Sequence, residues 1–203
     1  MQRTIALPNA SVKLVQEEDE PFSDDAFVEF CRANPDVRAE RTAEGEIVIV
    51  PPAGAESSNR SLKVAGQLDR WSEADGRGEA FDSSAEFMLS DGSALSPDAS
   101  WVSNTALRRL TREQRKQFLR FCPEFVVEVM SPSDRLGKAK AKMEQWIANG
   151  AQLGWLIDGD RKIVYVYRPS RAPETHRGIR ELAGDGPVEG FVLKLSSIWK
   201  GLG

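Results

Sequence analysis

The run Phe125-Val126-Val127-Glu128-Val129-Met130 sets one carboxylate into an otherwise apolar stretch. A stretch this apolar predicts a strand covered on both faces. Side-chain alternation turns Phe125, Val127 and Val129 to one face and Val126, Glu128 and Met130 to the other. Glu128 therefore shares a face with apolar neighbours, where a carboxylate is costly unless it is paired, protonated or holding a metal. A buried ion pair, or a strand end that reaches water, would also meet that cost. Pro97-Asp98 stands at the mouth of an earlier strand and offers a second carboxylate to the same pocket, although Pro-Asp is also an ordinary turn pair. Two carboxylates, completed by a backbone carbonyl and waters, suit Mg2+ or Mn2+.

A cation follows on the next helix. Lys138 and Lys142 are spaced i, i+4 and share a face. Lys142 borders the apolar stripe of Met143 and Trp146 that would dock this helix on the sheet. Its stem could run inward while its ammonium reaches the carboxylates; the alternative is a lysine that snorkels along the surface. Lys138, one turn away, is the substitute.

The elements that must position these groups can be read in outline. Ser23 caps a short helix with Ala26, Phe27 and Phe30 on its apolar side. Glu46–Val50 is a strand stopped by Pro51-Pro52. Ser57 and Ser58 are expected to cap a helix carrying Leu62, Ala65, Leu68 and Trp71, ending near Asp75-Gly76. Short strands follow at Glu79–Phe81, Glu86–Leu89 and Ala99–Val102, with a turn at Asp91-Gly92. Leu107–Arg120 reads as a basic helix. After the Glu128 strand, Ser133 or Asp134 is expected to cap a helix with Leu136, Ala139, Met143, Trp146 and Ile147 on one face, closing at Gly150. Leu153–Ile157 and Lys162–Tyr167 form a hairpin, and Gly190–Leu195 gives a last strand before a short helix. The expected fold is α/β (α+β), one mixed central sheet flanked by helices. Residues 1–22 read as an N-terminal extension ending in an acidic, mobile patch, and 23–203 as a single domain.

Bulk properties narrow the function classes. A chain of 203 residues suffices for one sizeable domain. No apolar run approaches the roughly 20 residues of a membrane span. Met1–Leu14 shows no basic stretch followed by an apolar core, so no signal peptide is expected and the cytoplasm is the default compartment. Cys31 and Cys122 read as reduced, buried thiols, and two cysteines alone cannot build a zinc site. The single histidine, His176, reads as an exposed loop residue, which disfavours Ser/His/Asp or Cys/His chemistry. No GxGxxG or Walker-type loop is present. The net charge of −4 is unevenly spread. From Arg108 to Lys142, ten Lys/Arg stand against four Asp/Glu, a local +6, so the remainder carries −10. The basic stretch is either a solvated face or a surface for phosphates, with Arg108, Arg109, Arg112, Arg115 and Lys138 as candidate backbone contacts.

Pro97-Asp98, Glu128-Val129-Met130-Ser131-Pro132-Ser133, Lys142 through Gly150 and Gly154-Trp155-Leu156-Ile157-Asp158 together resemble the restriction endonuclease family called Uma-two, of the PD-(D/E)XK nuclease superfamily. The resemblance extends to Gly45–Pro52 and Gly190–Leu193 and covers roughly residues 23 to 200. It implies a restriction-endonuclease-like core and a Mg2+- or Mn2+-dependent endonuclease acting on nucleic acid, DNA foremost, as a homodimer. It implies Asp98 and Glu128, with the backbone of Val129, as metal ligands. In the usual superfamily pattern the lysine stands two residues after the acid; Met130 stands there, and the family pattern maps the lysine to Lys142. Glu40 matches an acidic position that can join such sites. Where the family often has a histidine, Ser58 and Asn59 stand.

The leading rival is a catalytically inactive nucleic-acid- or protein-binding module on the same fold, which the net negative charge favours. A metal-dependent hydrolase of smaller phosphoesters is the third reading.

Overall fold

A computed structural model of the chain describes residues 13–14 and 22–202. In chain order the elements are β1 (Lys13–Leu14), α1 (Asp24–Ala33), β2 (Ala39–Arg41), β3 (Ile47–Ile49), α2 (Ala55–Asp75), β4 (Gly78–Asp82), β5 (Phe87–Met88), β6 (Ala94–Leu95), β7 (Ala99–Ser103), α3 (Asn104–Leu107), β8 (Phe125–Val129), α4 (Leu136–Ala148), β9 (Leu153–Asp158), β10 (Ile163–Tyr167), β11 (Glu174–Arg177), β12 (Glu181–Ala183), β13 (Val192–Lys194) and α5 (Ser196–Lys200). They fall into two compact units. One holds the described residues up to Pro52 with Met88–Leu95, the other Ala53–Phe87 with Ser96 onward. The expected acidic patch, residues 17–20, lies outside the described residues. No described helix is long and apolar enough to cross a membrane.

The first unit carries a five-stranded sheet of order β1-β3-β2-β6-β5. Helix α1 starts where the sequence places its cap, with Ser23 accepting from the Ala26 N–H. Arg41 is buried on β2 and spends its guanidinium on Gly92 O, Phe22 O and Asp24, which answers the cost of burying the charge. Strand β2 is too short to show a pattern in the sequence. Glu40 stands on it, half-buried and opposite Val48.

The second unit is built on a six-stranded sheet of order β11-β10-β9-β8-β7-β4. Its neighbours are antiparallel except β8 and β9, which run parallel. A parallel pair needs a long crossover, and α4 supplies it. Helix α2 covers one face. Val64 and Leu68 pack with Ala99, Trp101, Phe125, Val127, Val129, Trp155 and Phe191 in the main core. Helix α4 covers the other face, with Met143 and Trp146 fully buried. Gly154 permits this approach, since a Cβ there would lie 2.4 Å from Met143 Cε. Arg60, buried on α2, pairs with Glu56 and with Asp160 in the β9–β10 turn. Gly159 in that turn is pressed against it, with room for no Cβ.

Several local expectations are corrected. Helix α2 starts at Ala55 with Gly54 as its N-cap, so Ser57 and Ser58 lie inside it. Its buried face runs Ser57, Arg60, Val64, Leu68, Ser72, while Leu62 is exposed. Leu107–Arg120 is not one helix. Helix α3 ends at Leu107 and a 3-10 turn forms at Gln114–Lys116. Thr111 and Gln114 exchange side-chain bonds with each other's N–H, a local cap that restarts the chain rather than continuing a helix. Helix α4 starts at Leu136 after Arg135, and neither Ser133 nor Asp134 caps it, because Asp134 accepts from the Ser131 N–H instead. His176 lies in the edge strand β11 opposite Val164, where its polar, exposed neighbours hide the strand from a hydrophobic pattern. Cys31 and Cys122 are half-buried and form no disulfide.

Candidate active site

Glu128 is placed by β8 as its alternation requires. Phe125, Val127 and Val129 belong to the core on the α2 side, so Glu128 faces α4. Its side chain is only 13% exposed. Two donors from one face of α4 meet a single carboxylate oxygen. Lys142 Nζ stands 3.0 Å from Glu128 Oε1, and the Trp146 indole N–H donates to the same atom at 2.9 Å. Their i, i+4 spacing makes this double contact possible. Lys142 also donates to the Ser96 carbonyl at 3.1 Å, so its half-buried ammonium bridges the chain just before Asp98 to Glu128.

Asp98 stands one residue before β7, whose Ala99 pairs with Val127. One further step of that register sets Asp98 opposite Glu128. Its Oδ2 accepts from the Val129 N–H at 2.7 Å, and Oδ1 accepts from Ser61 Oγ on α2 at 3.2 Å. The carboxylate thus takes the place of a strand carbonyl beside the residue that follows Glu128.

Sequence reasoning missed three participants and gave a fourth too small a part. Ser61 holds Asp98. Ser96, 3% exposed, offers its carbonyl to Lys142 and its hydroxyl to Glu86. Glu86 is itself buried at 7%. The physics of an acid among apolar strand neighbours applies to Glu86 beside Phe87 as it does to Glu128. Trp146, expected only as a docking residue, is a hydrogen-bond donor in the site.

The remaining candidates lie elsewhere. Lys138 is exposed, one turn before Lys142. Arg108, Arg109, Arg112 and Arg115 are exposed and follow α3, which leaves the end of β7 away from Asp98. Five strand residues rising roughly 3.3 Å each separate those ends by about 17 Å. At that far end an open cleft of about 570 Å³ is lined by Arg77, Trp101, Asn104, Arg108 and Glu124 among others.

Among the described residues no three His, Cys, Asp or Glu side chains converge as a metal cluster. The ligands expected from the sequence would be oxygens only: the Asp98 and Glu128 carboxylates and the carbonyl of Val129, the residue whose N–H holds Asp98. That set fits Mg2+, which keeps several waters and takes one or two carboxylates, and does not suit a soft metal.

Comparison with known proteins bears on the fold and the family. The chain matches no curated protein. Among solved structures it is similar to one described as a putative nuclease belonging to DUF820 from Anabaena variabilis ATCC 29413, at 21% identity and a TM-score of 0.73, over 89% of this chain and 98% of that one. At that identity the likeness establishes the fold. The model of the Uma2 family, described as "Putative restriction endonuclease", matches residues 24–196. The span takes in the first unit's strands β2 and β3 and every element that carries Asp98, Glu128 and Lys142, and on that ground the chain belongs to the Uma2 family.

Proposed function

We propose that this chain is a metal-dependent phosphodiesterase that cuts nucleic acid, DNA foremost, with Asp98, Glu128 and Lys142 as its working groups. The observation that carries the reading is the Lys142 ammonium held between Glu128 Oε1 and the Ser96 carbonyl, beside a second carboxylate anchored at Val129. Asp98, Glu128 and the Val129 carbonyl would hold Mg2+ or Mn2+. When bound, such a cation supplies Lewis-acid polarisation of the phosphate and a nucleophile near neutral pH. Asp98 is kept in place by Ser61 and the Val129 N–H, so its carboxylate needs little reordering to act. Lys142 would neutralise charge that grows on the phosphate oxygens. Water attacks phosphorus in line, and the P–O bond to the leaving sugar oxygen breaks. Glu40 joins this reading on family resemblance alone. A homodimer suits it, since one site cuts one strand.

The test is cleavage of supercoiled plasmid with Mg2+ or Mn2+ by the wild type and by Glu128→Ala. Nicked and linear product from the wild type alone is expected. Equal cutting by both would sink the site assignment. No cutting of any DNA or RNA tried would favour a binding module, and turnover of a small diester alone would point to a smaller phosphoester.

A further inference from the structure

Helix α4 brings two unlike donors to Glu128. Lys142 is a flexible, half-exposed side chain with a charge that a phosphate can attract. Trp146 is fully buried, has two side-chain torsions, and is held edge-on by Phe87 at 6.3 Å and 82°. Its indole nitrogen can only donate, and a buried donor without an acceptor is unfavourable. Glu128 Oε1 is its acceptor at 2.9 Å.

We propose that Trp146 is a positioning residue for Glu128, fixing the carboxylate through its indole N–H so that it stays aimed while Lys142 turns toward a phosphate. The inference rests on the reading of Glu128 as a metal ligand. A carboxylate ligand with three torsions is aimed by its outer partners, and loss of such a partner typically weakens metal affinity. A Trp that merely packs would affect stability and leave that affinity alone.

The experiment is Mn2+ binding by calorimetry on the full chain, with thermal melts alongside, for the wild type, Trp146→Phe and Met143→Ala. Trp146→Phe keeps a ring and removes the donor. Its Kd for Mn2+ should rise by about 10- to 100-fold. Met143→Ala, on the same buried helix face, should lower Tm at least as much and leave Kd unchanged. An unchanged Kd for Trp146→Phe, or an equal rise for Met143→Ala, overturns the proposal while leaving the metal reading intact. If the wild type takes up no Mn2+, the metal reading falls and this proposal with it. The hydrogen bond has its own readout in the indole N–H resonance that Trp146→Phe removes from the protein's five tryptophans. Glu128→Ala should shift that resonance, and a resonance that does not move refutes the clamp whatever the metal does.

Discussion

Glu128 Oε1 is met by Lys142 and Trp146 but not by Lys138, and on the proposed function that difference at the scale of single residues predicts a difference in rate. Lys142→Ala should lower the single-turnover cleavage rate by about 10²–10³-fold, the usual loss for one donor aimed at developing charge. Lys138→Ala should leave that rate near wild type. Equal damage from both would move the role off Lys142. Tyr167, on β10, gives a prediction about stability. Burial first, then the nearby charges of Glu144 and Tyr165, push its phenol from 10.0 to about 12. The folded chain then holds this proton more tightly than the unfolded one. The contribution is fully present below pH 10 and is lost as pH rises from 10 through 12. The buried phenol oxygen has no hydrogen-bond partner among the described residues. Tyr167→Phe should therefore raise stability by about 1 kcal/mol and flatten the alkaline fall, both read from melts across that pH range. A less stable variant would show that the hydroxyl is satisfied after all.

Helix α4 is the element on which the site depends. It is the crossover between the parallel strands β8 and β9, so topology alone brings it over the Glu128 face. Its buried Met143 and Trp146 then fix which way Lys142 points. Its start is poor by local standards. Arg135 is the N-cap, in extended geometry, with no side-chain cap and a positive charge at the positive end of the helix dipole. Arg135→Ser should stabilise the chain by about 0.5–2 kcal/mol, raising Tm by roughly 2–4 °C per kcal/mol at this size. A lower Tm would mean that the arginine holds the helix start in another way. The apolar stripe of this helix is legible in the sequence because burial on one face leaves a 3.6-residue period. Its cap is not, because Ser133 and Asp134 have cap chemistry while Asp134 folds back on Ser131. The failed helix at 107–120 has the same cause, since local side-chain bonds compete with helix hydrogen bonds and composition does not show which prevails.

Charge acts at the scale of the whole molecule. The chain is net negative, yet its 108–142 stretch is strongly positive. Arg108, Arg109, Arg112 and Arg115 follow the end of β7 away from Asp98, about 17 Å of strand from it. A polymer could reach both places and a small phosphoester could not. Replacing Arg108, Arg109, Arg112 and Arg115 together by Ala should reduce the slope of log affinity against log salt by about 0.9 for each phosphate these arginines neutralise. This is measured without added divalent metal on Glu128→Ala protein, in which the proposed function expects no cleavage. A slope equal to that of the parent would remove these arginines from the interface.

The sequence by itself determined that a carboxylate would sit among apolar strand neighbours at Glu128, that a lysine-bearing amphipathic helix would follow, and that the whole would be a mixed α/β chain of this family. Those features are local: period two, period 3.6, and short motifs in fixed order. Only the tertiary structure decided that Lys142 rather than Lys138 meets Glu128, that Trp146 shares its oxygen, and that Ser61, Ser96 and Glu86 belong to the same neighbourhood. These interactions join β8 to α4, and the chain around Asp98 to α2 and Val129. They depend on a sheet register and on a helix's rotation, which are set by packing summed over many residues and leave no mark at any single position.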